Sequence, residues 1–427
     1  MSRTTEQNIS VLKHCGIVRS LMIAIILLCQ SVMQAQTDAL WLLQDSIKPW
    51  TSMTSLKSDN ALGSNSIDLA FLKESIFGGR LEKSQIQAQA DRMKSVNRIG
   101  GYSTSELGFM NFKDTLFNKP HWGLLASLQT TYLASAHFPK DLFSLIYQGN
   151  KDFDSLSIAP VRAQMQSYQK FSVGIFNKKN WNSVSIGLVV GQRMADLSLY
   201  SASFVTNTFG DTIQVAYNGL FERSDTSVTG MANGSGLGLA TDINYHLQMP
   251  NQKGIISIAL YDVGFVVWNK NTQSFRLNGT NTWTGIDTSP YVSQNLDSIS
   301  LPNFEDSLKY VRKVGREIKP LPARIQFRYL HHLSGATYYE FGMQIMPSTA
   351  ALPRIHFGLG QRVFENFLFT QTVSYGGFGR WGLGAGCYYM PKKSWYFAVQ
   401  TFHLGGFTMD SSKSRNIQFS IAKIFKS

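Results

Sequence analysis

Beyond residue 35 the sequence carries seven histidines, His121, His137, His246, His331, His332, His356 and His403. These side chains are the best suited to bind a metal or to move a proton near neutral pH. Their spacing gives neither role a footing. His331 and His332 are adjacent, and neighbours on a strand point to opposite faces, which argues against a shared metal. His246 and His403 fall near predicted strand ends, where an amphipathic ring suits a membrane interface. No stretch of sequence gathers a nucleophile, a base and an orienting acid. Gly234-Ser235-Gly236-Leu237-Gly238 has the glycine content of a phosphate cradle, but it opens a strand pattern rather than a helix. The G-x-x-x-x-G-K-[ST], H-E-x-x-H and G-x-S-x-G patterns are absent. The expectation is therefore a protein that is not an enzyme, with no catalytic, cofactor-binding or metal-binding residues.

One grouping bears on an internal space rather than on a reaction. In Trp381–Tyr389, Gly382, Gly384 and Gly386 alternate with Trp381, Leu383, Ala385 and Cys387. On a strand this puts bare backbone on one face and apolar side chains on the other. The apolar face would meet lipid. The glycine face would leave room for another part of the chain, or would let a wall curve sharply.

The elements that must position these residues follow from composition and pattern. Charged residues make up only 16% of the 427 residues, aromatics 12%, and there are 35 Gly against 12 Pro. A mean hydropathy of −0.10 excludes a bundle of transmembrane helices, which needs several apolar runs of about 20 residues. A membrane barrel avoids such runs because lipid-facing and lumen-facing residues alternate. Residues 1–35 have the pattern of a cleavable export signal. Arg3, Lys13 and Arg19 lead into the apolar Ser20–Leu28, and a cut after Ala35 is expected. Its removal takes away three basic residues and one acidic residue, lowering the formal charge from +13 to +11. The remaining Lys and Arg are dispersed, which fits anionic lipid rather than nucleic acid. Cys387 is then alone, so no internal disulfide is expected.

The mature chain divides into an irregular segment at 36–64, a helical hairpin at 65–101 and an all-β region at 102–427. In the hairpin, Asn65 or Ser66 would cap the first helix, and Gly78-Gly79 would end it. A second helix from Leu81 to about Val96 has one modestly apolar side, so the hairpin must pack on something. The lumen of the barrel, or its periplasmic mouth, is the place expected, as a plug over the glycine face. From Trp122 onward come about fourteen strand-like stretches, including Val184–Gly191, Leu197–Val205 and Ser274–Thr284. Several approach the ~9–11 residues that cross a bilayer at a tilt. Asn269-Lys270-Asn271, Leu333–Ala336, Val363–Glu365 and Pro391–Lys393 would be short turns on one side. The polar stretch 287–319, with a short helix over Phe304–Arg316, would be a long loop on the other. Trp268, Trp283, Trp381, Trp395, Tyr388 and Tyr389 would form the aromatic girdles. The fold class expected is thus an all-β, transmembrane antiparallel β-barrel of about 14 strands.

Ile417, Phe419, Ile421 and Phe425 share one face of the last strand, with Lys423 interrupting it. That ending resembles the signal read by the barrel assembly machinery. The stretches FLKESIFGGRLEKSQIQAQADRMKSVNRIGG (Phe71–Gly101), GLGLATDINYH (Gly236–His246), IALYDVGFVVW (Ile258–Trp268) and LPARIQFRYLHHL (Leu321–Leu333) resemble an uncharacterised outer-membrane barrel family. That family occurs in bacteria with type IX secretion and is similar to FadL-like transporters and PorP-type barrels. The resemblance implies an outer-membrane location and two candidate functions. One is FadL-like passage of a small or hydrophobic solute. The other is a scaffold or anchor for secretion, gliding or surface-attachment machinery. The partners implied are outer-membrane lipid and a hydrophobic ligand or a secretion-system protein. It also implies that Asp262 and Gly264 mark a lumen-facing charge at a kink in the wall, or that Asp262 pairs with an arginine on a neighbouring strand.

Overall fold

The computed structural model describes residues 51–111, 116, 121–150, 154–207, 212–228, 233–250, 253–284, 310–334, 336–391 and 394–425. The export signal, Lys392-Lys393 and residues 285–309 of the polar stretch lie outside them.

Fourteen antiparallel strands close into a ring. In ring order they are β1 (Ser52–Ser64), β2 (Asn97–Asn111), β3 (Trp122–Phe138), β5 (Val161–Asn177), β6 (Ser183–Thr206), β8 (Gly236–Gln248) and β9 (Gly254–Trp268). The ring continues through β13 (Arg324–His332), β14 (Thr337–Ile345), β15 (Leu352–Phe364), β16 (Phe367–Gly377), β17 (Trp381–Tyr389), β18 (Trp395–Thr401) and β19 (Ser414–Phe425). Strand β1 closes the ring by pairing with both β19 and β2. The alternation of sequence becomes an alternation of faces. Leu107, Phe109, Leu124, Leu128, Phe171, Val173, Ile186 and Leu188 all stand exposed on the outside, as a lipid-facing belt requires. Lys423 keeps its place in that belt by lying over the Trp395 ring, 4.6 Å from its centroid.

Residues 52–64, expected to be irregular, are the first wall strand. Their Ser/Asn-rich face conceals the alternation, but the ladder to β2 runs unbroken from Ser52–Asn111 to Ser64–Ile99. Strand β2 begins at Asn97, inside the segment expected to be helical. A further strand, β7 (Thr212–Arg223), lies between β6 and β8 in sequence. It pairs with the upper half of the 24-residue β6 and with β10 (Gln273–Thr284), which pairs in turn with the short β11 (Tyr310–Val314). These strands, with the three-residue β4 (Ser155–Ser157) on β6 and β12 (Ile318–Pro320) on β9, extend the sheet beyond the ring. The helix expected over Phe304–Arg316 is therefore replaced by strand at 310–314. Asn269–Asn271, placed among the short turns, joins β9 to β10 at the long-loop end.

The helical hairpin consists of α1 (Leu69–Phe77) and α2 (Lys83–Arg92). Gly78 ends α1 at φ 79°, and Glu82 with Gln85 forms a capping box on α2. Asp68, not Asn65 or Ser66, occupies the N-cap, because those two side chains bind β2. Asn65 Oδ1 accepts from the Arg98 N–H at 2.8 Å, and Ser66 Oγ lies 2.7 Å from Asn97 Oδ1. The hairpin does not enter the lumen. Ile76 packs on Leu62, Tyr132 and Ala134, which share the outward face with Leu56, Leu124 and Leu128. Phe71 meets Phe143 and Tyr147 of α3 (Lys140–Tyr147), completing a small apolar cluster on the outside of the wall.

Side chains and loops fill the lumen instead. At the end with short turns, Met53, Phe176, Leu330, Tyr338, Leu368 and Tyr396 form an apolar floor. At the other end the loop between β14 and β15 crosses inward. Gln164 donates from the far wall to the Ser348 carbonyl, and the Ala350 N–H reaches Ser135 Oγ at 3.4 Å. Met346 from that loop and Phe378 from the β16–β17 turn pack on Tyr102 and Leu133.

Candidate functional site

Midway along the lumen, side chains from eight strands meet in a layer of paired charges. It begins with a kink. Asp262 takes a left-handed conformation, φ 58°, where the β8–β9 register breaks between Thr241 and Ile243. The extra residue lets Tyr261 and Asp262 both face inward, as a β-bulge does. Gly264 permits the close approach of β8 there, since a Cβ would sit 2.0 Å from the Leu239 carbonyl oxygen.

Asp262 is fully buried and accepts from Lys170 Nζ at 2.6 Å and from Gln129 Nε2 at 3.0 and 3.3 Å. Its own backbone N–H donates to Asp242 Oδ1 at 2.8 Å, and Lys170 binds both oxygens of Asp242 at 2.8 Å. Arg324, on the neighbouring β13, stands 3.5 Å from Asp262 and 3.8 Å from Asp59 on β1. Tyr102 donates to Asp59 at 3.0 Å, and Asn416 reaches the other oxygen at 3.4 Å. Lys57 and Glu106 form a separate pair at 3.0 Å. Burying so many charges is tolerable only because each has an opposite partner and further hydrogen bonds.

Between this layer and the apolar floor lies a chamber of about 150 Å³. Ser55, Ser127, Asn244, Gln326 and Gln418 line it, with Trp181 at its base. On the other side of the layer are two further hollows. Tyr102, Met346 and Arg354 line one; Arg162, Asp196 and Lys319 line the other. Above Asp262, Tyr168, Val189, Val266, Trp268 and Leu321 form an apolar cluster against one side of the wall.

Several predicted residues fall elsewhere than expected. Gly382, Gly384 and Gly386 face inward, but neighbouring wall strands approach them rather than the hairpin. Positions for a Cβ lie 2.3 Å from the Phe402 carbonyl, 2.2 Å from that of Thr401 and 2.5 Å from Thr370 Oγ1. Trp268 and Tyr388 point inward and belong to the lumen packing, whereas Trp381, Trp395 and Tyr389 are exposed on the outer face. His246 also turns inward, with Nδ1 2.8 Å from Ser257 Oγ, and His403 is buried. An arginine on a strand beside Asp262 is one of the two expected readings, and Arg324 on β13 stands there; Lys170, Asp242, Asp59 and Gln129 are not predicted as part of a site. For Lys170, Asp242, Arg324 and Gln129 a signal was present, since each stands inward beside an outward apolar residue (Phe171, Ile243, Ile325 and Leu128), whereas Asp59 lies between Ser58 and Asn60. Among the described residues no group of three His, Cys, Asp or Glu side chains is placed to hold a metal ion.

Residues 56–399 match a family of unknown function (DUF5723). No curated protein matches the sequence. Among solved structures, the toluene transporter TodX of Pseudomonas putida aligns over 90% of this chain and 92% of its own, at 9% identity and a TM-score of 0.42. The toluene transporter TbuX of Ralstonia pickettii aligns over 88% and 90%, at 9% identity and 0.38. The translocator domain of autotransporter NalP from Neisseria meningitidis aligns over 91% and 95%, at 10% identity and 0.31.

Proposed function

We propose that this chain, which belongs to the DUF5723 family of unknown function, is an outer-membrane barrel that passes a small solute through a lumen closed at its charged layer. One observation carries the proposal: hollows lie on both sides of the Asp59–Arg324–Asp262–Lys170 chain, stacked along the barrel axis. A barrel packed for rigidity alone would fill that space, since protein interiors leave few voids larger than a water molecule. The end with short turns is the periplasmic one, following the usual asymmetry of such barrels. The leader at 1–35 is removed on export. The other reading, a scaffold for secretion or gliding machinery, has no structural observation in its favour.

In the closed form the paired charges hold opposite walls together, because separating them leaves buried ions without partners. Solute passage then requires Arg324 to leave Asp59 while the Lys170–Asp262 pair remains on its own side of the lumen. Purified full-length protein in planar bilayers tests the function. Brief, discrete conductance steps are expected above the protein-free baseline. A bilayer that contains correctly folded barrel and stays electrically silent at every voltage contradicts it.

A further inference from the structure

We infer that the central chamber is a binding site for a small neutral solute rich in hydroxyl groups, a polyol or simple sugar, rather than for a hydrocarbon. The inference rests on the passage reading for its biological sense, but the site itself is argued from the chamber walls.

Gln418 is the first observation. It points inward from β19, is 1% exposed and lines the chamber, and neither its amide nitrogen nor its amide oxygen has a hydrogen-bond partner among the described residues. A buried primary amide with both ends unmatched is costly, and such groups in native structures call for a missing partner. The partner must accept from the nitrogen and donate to the oxygen within one small volume. A hydroxyl does both.

The rest of the wall has the same character. Ser55, Ser127 and Ser183 contribute hydroxyls, and Gln326 an amide, from four strands around the chamber. The charged groups at its roof already have opposite partners: Lys57 lies 3.0 Å from Glu106, and Lys170 lies 2.8 Å from Asp242. An ionic ligand would have to displace one of those partners, whereas a neutral one need not. At the base Trp181 packs beside Phe176, with ring centroids 6.5 Å apart and planes 25° from parallel. Trp181 is held there with φ at 63° in the tight β5–β6 turn. An apolar ring below and hydrogen-bonding groups around suit a solute with a C–H face and an O–H rim. A hydrocarbon would leave the Gln418 amide unpaired, and sites built to hydrogen-bond a ligand reject analogues that cannot answer.

Saturation-transfer NMR on the full chain in detergent micelles tests this, with glycerol and xylose as hydroxylated probes and toluene as the apolar one. Xylose or glycerol should bind and toluene should not compete. Gln418→Ala should weaken binding by roughly three- to tenfold, the range for one neutral hydrogen bond. Cys387→Ser, on the outer face, should leave binding unchanged and serves as the folding control. If Gln418→Ala does not fold, Gln326→Ala and Ser127→Ala supply the same comparison. Absence of xylose and glycerol binding, or displacement of either by toluene, overturns the inference. Proteoliposome swelling run beside it separates the two claims. Binding without permeation would sink the passage reading and keep the site. Permeation without binding of the hydroxylated probes would do the reverse.

Discussion

Arg324 on β13 lies 3.8 Å from Asp59 on β1, although the two strands are on opposite sides of the ring. The contact crosses the lumen, and the 3.5 Å approach of the same guanidinium to Asp262 ties it back to its own wall. A single side chain therefore bridges the barrel at mid-height. Its partners are aspartates whose carboxylates also accept from Tyr102, Gln129 and Lys170. Ion pairs cross the lumen here, whereas the apolar floor on one side and the β14–β15 loop on the other narrow it by packing.

The backbone at Asp262 separates two effects of the same residue. Both Asp262→Gly and Asp262→Ala remove the carboxylate from Lys170 and Arg324, so both should destabilise the barrel. Only alanine also incurs the left-handed penalty at φ 58°. The glycine variant should be more stable than the alanine variant by about 1–2 kcal/mol in urea titrations followed by gel mobility. Equal stabilities would mean that the bulge relaxes once the charge is gone.

Much of the barrel was legible before the structure, but partly through compensating errors. The count of fourteen strands was right, while its membership was not. Val184–Gly191 and Leu197–Val205 are one strand, β6, and Ser274–Thr284 lies outside the ring. Strands β1 and β2 make up the difference. Their outward positions include Ser58, Asn60, Ser103 and Ser105, so the apolar alternation that marks a lipid-facing strand is interrupted. The charged layer was harder to foresee for another reason. Asp242 and Arg324 reach Asp262 from the two strands paired with β9, but Lys170, Gln129 and Asp59 come from strands that only the curvature and closure of the ring bring near. Local pattern reports which face a residue takes, but not which residue waits across a lumen.

The place in the lumen that the sequence suggested for the helical hairpin is taken by the β14–β15 loop. Replacing residues 69–92 with a short Gly-Ser linker should leave ion leak through proteoliposomes unchanged, because Ile76 packs on the outer wall. Replacing Pro347–Ala351 with the shortest glycine turn that joins the strands should raise the leak, because Ser348 and Ala350 span the lumen. A leak that follows the hairpin rather than the loop would show the assignment to be wrong.

Gly384 has no room for a side chain. A Cβ there would lie 2.2 Å from the Thr401 carbonyl oxygen and 2.3 Å from Thr372 Oγ1. Gly384→Ala should cost about 1–3 kcal/mol, as overpacking does. Adding Thr372→Ala should recover only part of the loss, since the backbone oxygen stays in place. Full recovery in thermal melts would mean that the threonine alone sets the limit.

Outside the membrane, Asp225 follows β7 in the long-loop region and accepts from the side chain of Ser227, from Asn271 and from the Ser227 backbone N–H. These bonds hold its carboxyl down at about 2, against an ordinary 3.8. Lowered in the folded state, the group contributes stability that is fully present above about pH 4. That contribution is lost as pH falls from about 4 towards 2. Asp225→Asn should therefore flatten the acid limb of the protein's stability between those values while leaving the neutral region with little pH dependence. An acid limb identical to wild type would remove Asp225 from the explanation.

The most direct measurement of the central claim is the swelling rate of proteoliposomes in glycerol, compared between wild type and Arg324→Ala. Removing the bridge leaves Asp59 without its cation, while Asp262 keeps Lys170 and Gln129, at a stability cost of about 3–5 kcal/mol for a broken buried pair. If the charged layer is the closed gate of a conduit, the folded variant should swell several-fold faster than wild type. If both swell no faster than protein-free vesicles, the layer is structural and the barrel passes nothing.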